Sequence, residues 1–521
     1  MVAKAIDVLI VGAGAAGCLL AAVLSEGGKR VIVLESGPPW QGSDMVSSQI
    51  WARRLKWGGS PVLAGGKDPF GHNVMTGWGY GGSALHHYGG WPRLHAEDFR
   101  VRSMYGRGRD WPISYEDLRP FYDRIQTEVG IAGDAKAEIG RPPGEPYPLP
   151  PMVVFRQGDL IAKGFSVLGK TTAPYPSAIL SKDYKGRVAC PNDGWCAAGC
   201  PTMSIANPLA IYMPRAIAAG AKFRSGCTVT RIVTGRGGRV TGAEFVDETG
   251  RRNSLSARLT ILAGGAVQNA RLLLNTPVPG RTSSLANRSG LVGRAIHAHS
   301  LAINYAMFEE ETQCYMGTTS AQLTCLDDYA KSRPGKPFGS IAWAIAHAVK
   351  PNDLLGICNT RPEIFGSALH AFLDRSSRHI ATLDAICEEI PEDTSRIELV
   401  INKDRLGVPL ARVVHTLNNE ALELRAEATR QASAILKAAG SSEHWSAPPV
   451  SIHLAGGTIM GADPADSVTD SYGRCHEVPN LLVAGSSLFP TSGAVNPNFT
   501  IHALALRSAE YLLAHWHNYT D

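Results

Sequence analysis

Residues Ile6–Glu35 read IDVLIVGAGAAGCLLAAVLSEGGKRVIVLE, and this stretch decides how the rest of the chain is read. An apolar run, Val8–Val11, predicts a strand that ends in Gly12-Ala13-Gly14-Ala15-Ala16-Gly17. A small-residue helix, Cys18–Leu24, follows, and a second apolar run, Val31–Leu34, ends in Glu35. Strand, tight glycine turn, helix, strand and acid is the order of a dinucleotide site. Gly12 permits the turn, Gly14 lets backbone approach a pyrophosphate, and Gly17 lets helix and strand pack closely, with the phosphates on the helix N-terminus. Glu35 falls at about the ~20-residue distance from which a carboxylate binds ribose hydroxyls. An acid here, rather than an arginine, disfavours a 2′-phosphate, so FAD or NAD is expected over NADP. Gly12, Gly14, Ala16, Gly17 and Glu35 are therefore assigned to cofactor binding.

The chain has 521 residues, 44% hydrophobic and 19% charged, enough for a large core and for two to four domains or two interleaved ones. A net charge of +5 without a Lys/Arg block gives no footprint for nucleic acid. No apolar run approaches the ~18 residues of a membrane span. The first apolar run is already a strand, so no export signal is expected.

Residues 40–75 look loop-like and suggest a lid over the cofactor. Gly77–Gly90, with Gly81, Gly82, Ser83, His86 and His87, has the glycine density of backbone held close to a flat or charged group. In Asp110–Gly130, Ser114 and Asp117 sit at capping-box spacing ahead of a helix. Residues 222–265 return to short strands, expected to rejoin the first sheet, and Val229 and Ala263 within them join the expected cofactor contacts. Residues 300–415 read as a separate antiparallel sheet, including SRIELVI and PLARVVHTL, and Asn418–Ala439 as an amphipathic helix. The C-terminal segment holds Ser451-Ile-His453-Leu-Ala-Gly-Gly-Thr and then NLLVAGSSLFPTSGAVNPNFT, Asn480–Thr500, leading into a helix.

The N-terminal motif, Gly81–Gly90 and these two C-terminal motifs together resemble the glucose–methanol–choline (GMC) family of flavoprotein oxidoreductases. The resemblance is nearest to bacterial FAD-dependent sugar and alcohol dehydrogenase catalytic subunits and pyranose-oxidase-like members. It implies an α/β chain: a discontinuous Rossmann-type FAD domain with an inserted substrate domain built on an antiparallel sheet. The expected division is 1–295, with a lid near 40–75 and a cysteine insertion near 185–205; then 296–415 for substrate; then 416–521 returning to FAD. The implied reaction oxidises a secondary or sugar-like alcohol to a carbonyl by hydride transfer to flavin N5, with electrons passed to a non-oxygen acceptor. An oxygen-using oxidase that makes hydrogen peroxide is the alternative, and a flavin-binding relay subunit a third reading.

His453 matches the family's active-site histidine. A neutral imidazole titrating near pH 7 suits removal of the hydroxyl proton. Asn496 matches the partner position and can hydrogen-bond the substrate oxygen without titrating. His502 reads as packing or capping. His86 falls where some relatives attach FAD covalently and others only contact it. Many members carry an Asp where this chain has Gly485, so any contact from that position is through backbone.

Cys190, Cys196 and Cys200, followed by Pro201, have C-x5-C-x3-C spacing. The spacing resembles the 3Fe–4S site of certain bacterial membrane-bound glucose dehydrogenases. Packed structural thiols and a zinc site remain the alternatives. Such relatives work with a small chaperone-like subunit and a cytochrome c acceptor. The chain is accordingly expected to be cytoplasmic if alone, and periplasmic or membrane-associated if carried by a partner.

Overall fold

The computed structural model describes residues 6–56, 58–235 and 238–519. Ile6–Val11 forms the central strand of the first sheet, Ala15–Glu26 the helix behind it, and Val31–Leu34 the next strand, parallel with Val8 opposite Val31. On the other side of Ile6–Val11 lies Arg252–Leu262, also parallel, followed by Val478–Val483. Lys222–Arg224 closes the opposite edge beside Val31–Leu34. The expected return of residues 222–265 to this sheet is observed, with the strands Thr228–Thr234 and Val240–Val246 folding back on Arg252–Leu262.

The strands are nearly continuous apolar runs because both faces are covered, as a parallel sheet requires. Helix Ala15–Glu26 packs against Asn498–Ala514 and Tyr212–Ala218. Helix Tyr115–Val129 starts as expected: the Asp117 amide donates to Ser114 Oγ and the Ser114 amide to Asp117 Oδ2, a reciprocal cap.

The second sheet is built around His297–Met307. Ile380–Cys387 pairs antiparallel on one side of it and Glu443–Ser446 on the other, and Val450–Ala455 also pairs with it. Beyond Ile380–Cys387 come Ile341–Ile345, Leu323–Cys325 and Ala173–Pro174. One face carries Ala302, Ala306, Trp343, Ile345, Leu383 and Ala385, packed on helices Arg156–Val167 and Asn419–Ala438. Side chains alternate along a strand, so His299, Leu301, Ile303 and Tyr305 stand on the other face.

Two expectations change. Residues 40–75 are not a bare loop. They contain helix Gln49–Lys56 and strand Val62–Gly65, and the strand pairs parallel with Pro409–Val414. Arg396–Lys403 and Pro409–Val414 join that strand in a third, three-stranded sheet instead of the second one. Alternation marks a segment as a strand, but partner choice depends on remote surfaces that local pattern does not encode.

A buried charge cluster locks these parts together. Lys331 Nζ contacts Asp98 Oδ1 at 2.5 Å and Glu388 Oε1 at 2.7 Å, and all three side chains are fully buried. Tyr329 OH donates to Asp98 Oδ2 and accepts from the Ala494 amide. Gly493, at φ 55°, runs so close that a Cβ would stand 2.6 Å from the Tyr329 hydroxyl and 2.7 Å from Asp98. Removing the ammonium strands two carboxylates out of water. Lys331→Ala is therefore expected to cost about 3–5 kcal/mol, read as a lowered thermal midpoint. An unchanged midpoint would show that the cluster does not hold the fold.

Candidate active site

At the glycine turn, Gly12 sits at φ 106°, and a Cβ there would lie 2.6 Å from the Ala263 carbonyl oxygen. A Cβ on Gly17 would meet the Gly12 carbonyl oxygen at 2.1 Å. Both positions exclude side chains for packing reasons. Gly14 is different: an added Cβ would meet only the Gly81 and Gly82 backbone, at 4.0 Å, so this position lies against the second glycine-rich loop at the helix N-terminus. Ala16 is buried in the first helical turn, and the Ala263 amide donates to the Val11 carbonyl.

The Glu35 carboxylate collects the amides of Ala13, Gly37 and Gly79. Burial raises its pKa, and these amides oppose the rise. Glu35 therefore ties the glycine turn to the Gly77–Gly90 loop. Gly81 donates to the Ala13 carbonyl, and a Cβ on Gly82 would come 3.1 Å from Gly14 Cα. Ser83 Oγ accepts from the Gly77 amide at 2.9 Å. Val229 lies on Thr228–Thr234 near the end of Glu35, whose carbonyl accepts from the Cys227 amide. Gly485, at φ 104°, opens onto space free of protein atoms within 4 Å. His86 Nε2 is buried and has no hydrogen-bond partner, and burial pulls the ring down to about 3. An orphaned ring nitrogen beside a glycine cradle fits a bound dinucleotide with a flat ring system.

The two catalytic candidates come together from distant parts of the C-terminal segment. Val450–Ala455 pairs with His297–Met307, but the register slips between Ile452 and Ala455. His453 occupies this bulge at φ 60°, a left-handed conformation that is strained for a residue with a side chain. The bulge turns its ring toward the neighbouring strand, where His453 Nδ1 lies 2.9 Å from His299 Nδ1. His453 Nε2 lies 3.5 Å from Asn496 Nδ2. Asn496 Oδ1 accepts from Tyr175 OH at 2.7 Å.

These contacts assign the hydrogens. His299 Nε2 lies 2.9 Å from the Gly493 carbonyl oxygen, which can only accept, so this nitrogen carries the proton. In a neutral His299, Nδ1 is then the acceptor. His453 Nδ1–H donates to it, leaving a lone pair on His453 Nε2. A phenol donating to Asn496 Oδ1 likewise turns the Nδ2 donor toward His453.

The neutral state is strongly favoured. Part of the His453 surface stays open, yet surrounding atoms desolvate the ring and, with His299, drive its pKa well below 6.5. Burial brings His299 to about 4. The near-neutral titration expected from the sequence is thus replaced by a base that stays unprotonated far into acid. His299 and Tyr175 were not singled out from the sequence. No local spacing links His299 to His453, 154 positions away. His502 packs on Trp91 and bonds the Asn498 carbonyl, as expected of a packing residue.

The three cysteines share one small apolar cluster with Ile179, Leu180 and Ile205. Each thiol has its own surroundings: the Asn192 amide donates to Cys190, Cys196 engages Thr319, and Cys200 lies 3.5 Å from Thr202 Oγ1. Burial, together with the neighbouring thiols, pushes Cys190 up to about 12 and Cys196 up to about 11. Among the described residues, no three His, Cys, Asp or Glu side chains group so as to hold a metal ion. The arrangement fits packed thiols and lends the iron–sulfur and zinc readings no support.

The chain was compared with known proteins. Two family models, both described as GMC oxidoreductase, match residues 6–301 and 391–505. The chain is 29% identical to 2-methyl-1,2-propanediol dehydrogenase of Mycolicibacterium austroafricanum, over 99% of this chain and 96% of that protein. It is 27% identical to the fructose dehydrogenase large subunit of Gluconobacter japonicus, over 97% of each. Among solved structures, pyridoxine 4-oxidase from Mesorbium loti superposes with a TM-score of 0.67 at 16% identity, covering 98% of this chain and 99% of that one. With both halves matched and the same fold shared, the chain belongs to the GMC oxidoreductase family.

Proposed function

We propose that this protein is an FAD-dependent alcohol dehydrogenase that oxidises a secondary or sugar-like hydroxyl to a carbonyl and passes the electrons to an acceptor other than oxygen. The observation that carries the reading is the unprotonated His453 Nε2, held beside the Asn496 amide donor. The dehydrogenase names of the two relatives above point the same way.

The glycine turn, Glu35 and the Gly77–Gly90 loop would hold the adenosine and pyrophosphate of FAD, with His86 against its ring system. When bound, FAD supplies the electron pair acceptor for the hydride that leaves the carbinol carbon. The remaining steps belong to the chain. His453 Nε2 takes the hydroxyl proton, and its Nδ1–H bond to His299 keeps the lone pair on the correct nitrogen. Asn496 Nδ2 donates to the substrate oxygen as negative charge develops there, and Tyr175 prevents the amide from turning over. The pocket atoms that desolvate His453 also exclude water. One relative's name, "large subunit", denotes a multi-subunit assembly, which supports delivery of electrons to a partner subunit bearing its own redox centre.

His453→Ala is expected to cut anaerobic flavin reduction by an alcohol roughly 10²–10⁴-fold with FAD retained; an unchanged rate would falsify the assignment. His299→Ala, which removes the acceptor for Nδ1–H along with the contact to the Gly493 carbonyl, is expected to slow the same step by about 10²-fold. The pH dependence follows from the sign of the shift. A lowered pKa keeps the active neutral form present below 6.5, so the reduction rate should stay level as pH falls from about 7 to about 5.5. A decline that begins near 6.5 would reveal a base with an ordinary pKa.

A further inference from the structure

The base has a second imidazole in direct contact. His453 Nδ1 lies 2.9 Å from His299 Nδ1, and the two rings meet edge to face at 81° with centroids 5.2 Å apart. His299 is fully buried, while His453 keeps part of its surface open. A proton arriving at His453 Nε2 makes that ring an imidazolium, and its Nδ1–H is already aimed at the lone pair of His299. The added charge then has two places to reside, and their surroundings differ.

Around His453 the neighbours donate. Asn496 Nδ2 is 3.5 Å from Nε2, and Tyr175 OH holds the amide in that orientation by occupying Oδ1. Burial and the His299 ring both oppose a charge on His453. Around His299 the neighbours accept. Its Nε2–H has the Gly493 carbonyl at 2.9 Å, and a Cβ on Gly493 would stand 2.7 Å from the Asp98 carboxylate. Asp98 belongs with Glu388 and Lys331 to a buried group of two carboxylates and one ammonium, which leaves one negative charge in excess on this side. Such an excess acts more strongly on an imidazolium out of water than in it. Burial opposes a charge on His299, whereas the Gly493 and Ser492 backbone and Asp98 favour one, with Lys331 offsetting part of the effect of Asp98. The nearby His297 adds no charge: Nδ1 donates to the Ala295 carbonyl at 3.2 Å and Nε2 accepts from Ser492 Oγ at 2.7 Å.

We propose that His299 is the second proton acceptor of the reaction: as the substrate proton arrives at His453 Nε2, the Nδ1 proton of His453 passes to His299 Nδ1. The substrate O–H bond breaks and an N–H bond forms at His453 Nε2. The His453 Nδ1–H bond breaks and an N–H bond forms at His299 Nδ1. The hydride leaves as in the oxidation proposed above, on which this relay rests, and no further reactant is consumed. The pair gains one positive charge, held on the ring beside Asp98. His453 ends neutral, with Nε2–H donating to the newly formed carbonyl oxygen. Because His299 is fully buried, the proton returns through His453 and leaves from the substrate side once the product has gone.

The test follows anaerobic flavin bleaching by an alcohol in mixtures of light and heavy water, with FAD-loaded wild type, His299→Asn and His299→Ala. Asparagine sets an amide oxygen near the place of Nδ1, where it accepts the His453 hydrogen bond but takes up no proton. Wild type should give a bowed dependence of rate on deuterium fraction, the mark of two protons moving in one step, and His299→Asn a straight one. His299→Asn should also be slower than wild type by about 10–100-fold at unchanged KM. A His299→Asn rate equal to wild type, or a straight or flat dependence in wild type, overturns the relay and leaves His299 a positioning residue. A second measurement needs no turnover. In substrate-free protein labelled with ¹⁵N-histidine, the proton shared between the two rings should resonate far downfield and vanish in His299→Ala; its absence from wild type removes the bond that the relay requires. Wild type that shows this resonance but is bleached by no alcohol overturns the proposed oxidation, and the relay with it.

Discussion

The ammonium of Lys331 is the constraint on which the active-site geometry depends. It lies out of water between Asp98 and Glu388, so its position is dictated by two carboxylates from separate parts of the chain. Asp98 belongs to the short turn Ala96–Phe99, and Glu388 directly follows the strand Ile380–Cys387. Through Tyr329 the same cluster reaches the amide of Ala494, two positions before Asn496. The Gly493 carbonyl that sets the proton on His299 is on that loop too. One buried cation thus bears on both the loop that carries Asn496 and the carbonyl that sets the proton on His299.

Three histidines gathered near this loop stay neutral at ordinary pH. His297, His299 and His453 are all brought far below the ordinary range by burial. A base of this kind is weak toward protons in water but always has its lone pair available. In the reaction proposed above, such a base meets the hydroxyl proton as the hydride leaves and the hydroxyl becomes acidic. The bulge at His453 serves this arrangement, because a regular strand would direct the ring to the opposite side of the sheet.

The parts of the molecule legible in the sequence are those determined by near neighbours. Ile6–Glu35 folds almost residue for residue as its pattern reads, and the Ser114/Asp117 cap is where its spacing places it. His453 and Asn496 were identifiable because each lies in a distinctive motif. His299 was not, since HAHSLAIN is an ordinary apolar strand whose meaning comes from a register formed across the fold. The titration of His453 was misjudged for a related reason: desolvation is a property of the assembled site. The cysteine run shows the converse. Its spacing suggests a cluster, and the folded loop does bring the three thiols into one apolar group, but as buried thiols packed with Ile179, Leu180 and Ile205.

The order of strands in the first sheet bears on how the protein is made. The strand that opens the chain, Ile6–Val11, lies between Val31–Leu34 and Arg252–Leu262, and the latter is flanked in turn by Val478–Val483. A ribosome adding ~5–20 residues per second needs roughly half a minute or more to pass from the first of these strands to the last. Until then the nascent chain exposes an apolar strand edge and a glycine turn that lacks its neighbours. The long sequence separation of these contacts makes the folding slow. An apolar strand edge left unpaired for that time is open to pairing with other chains, so crowding during synthesis works against a good yield of folded protein.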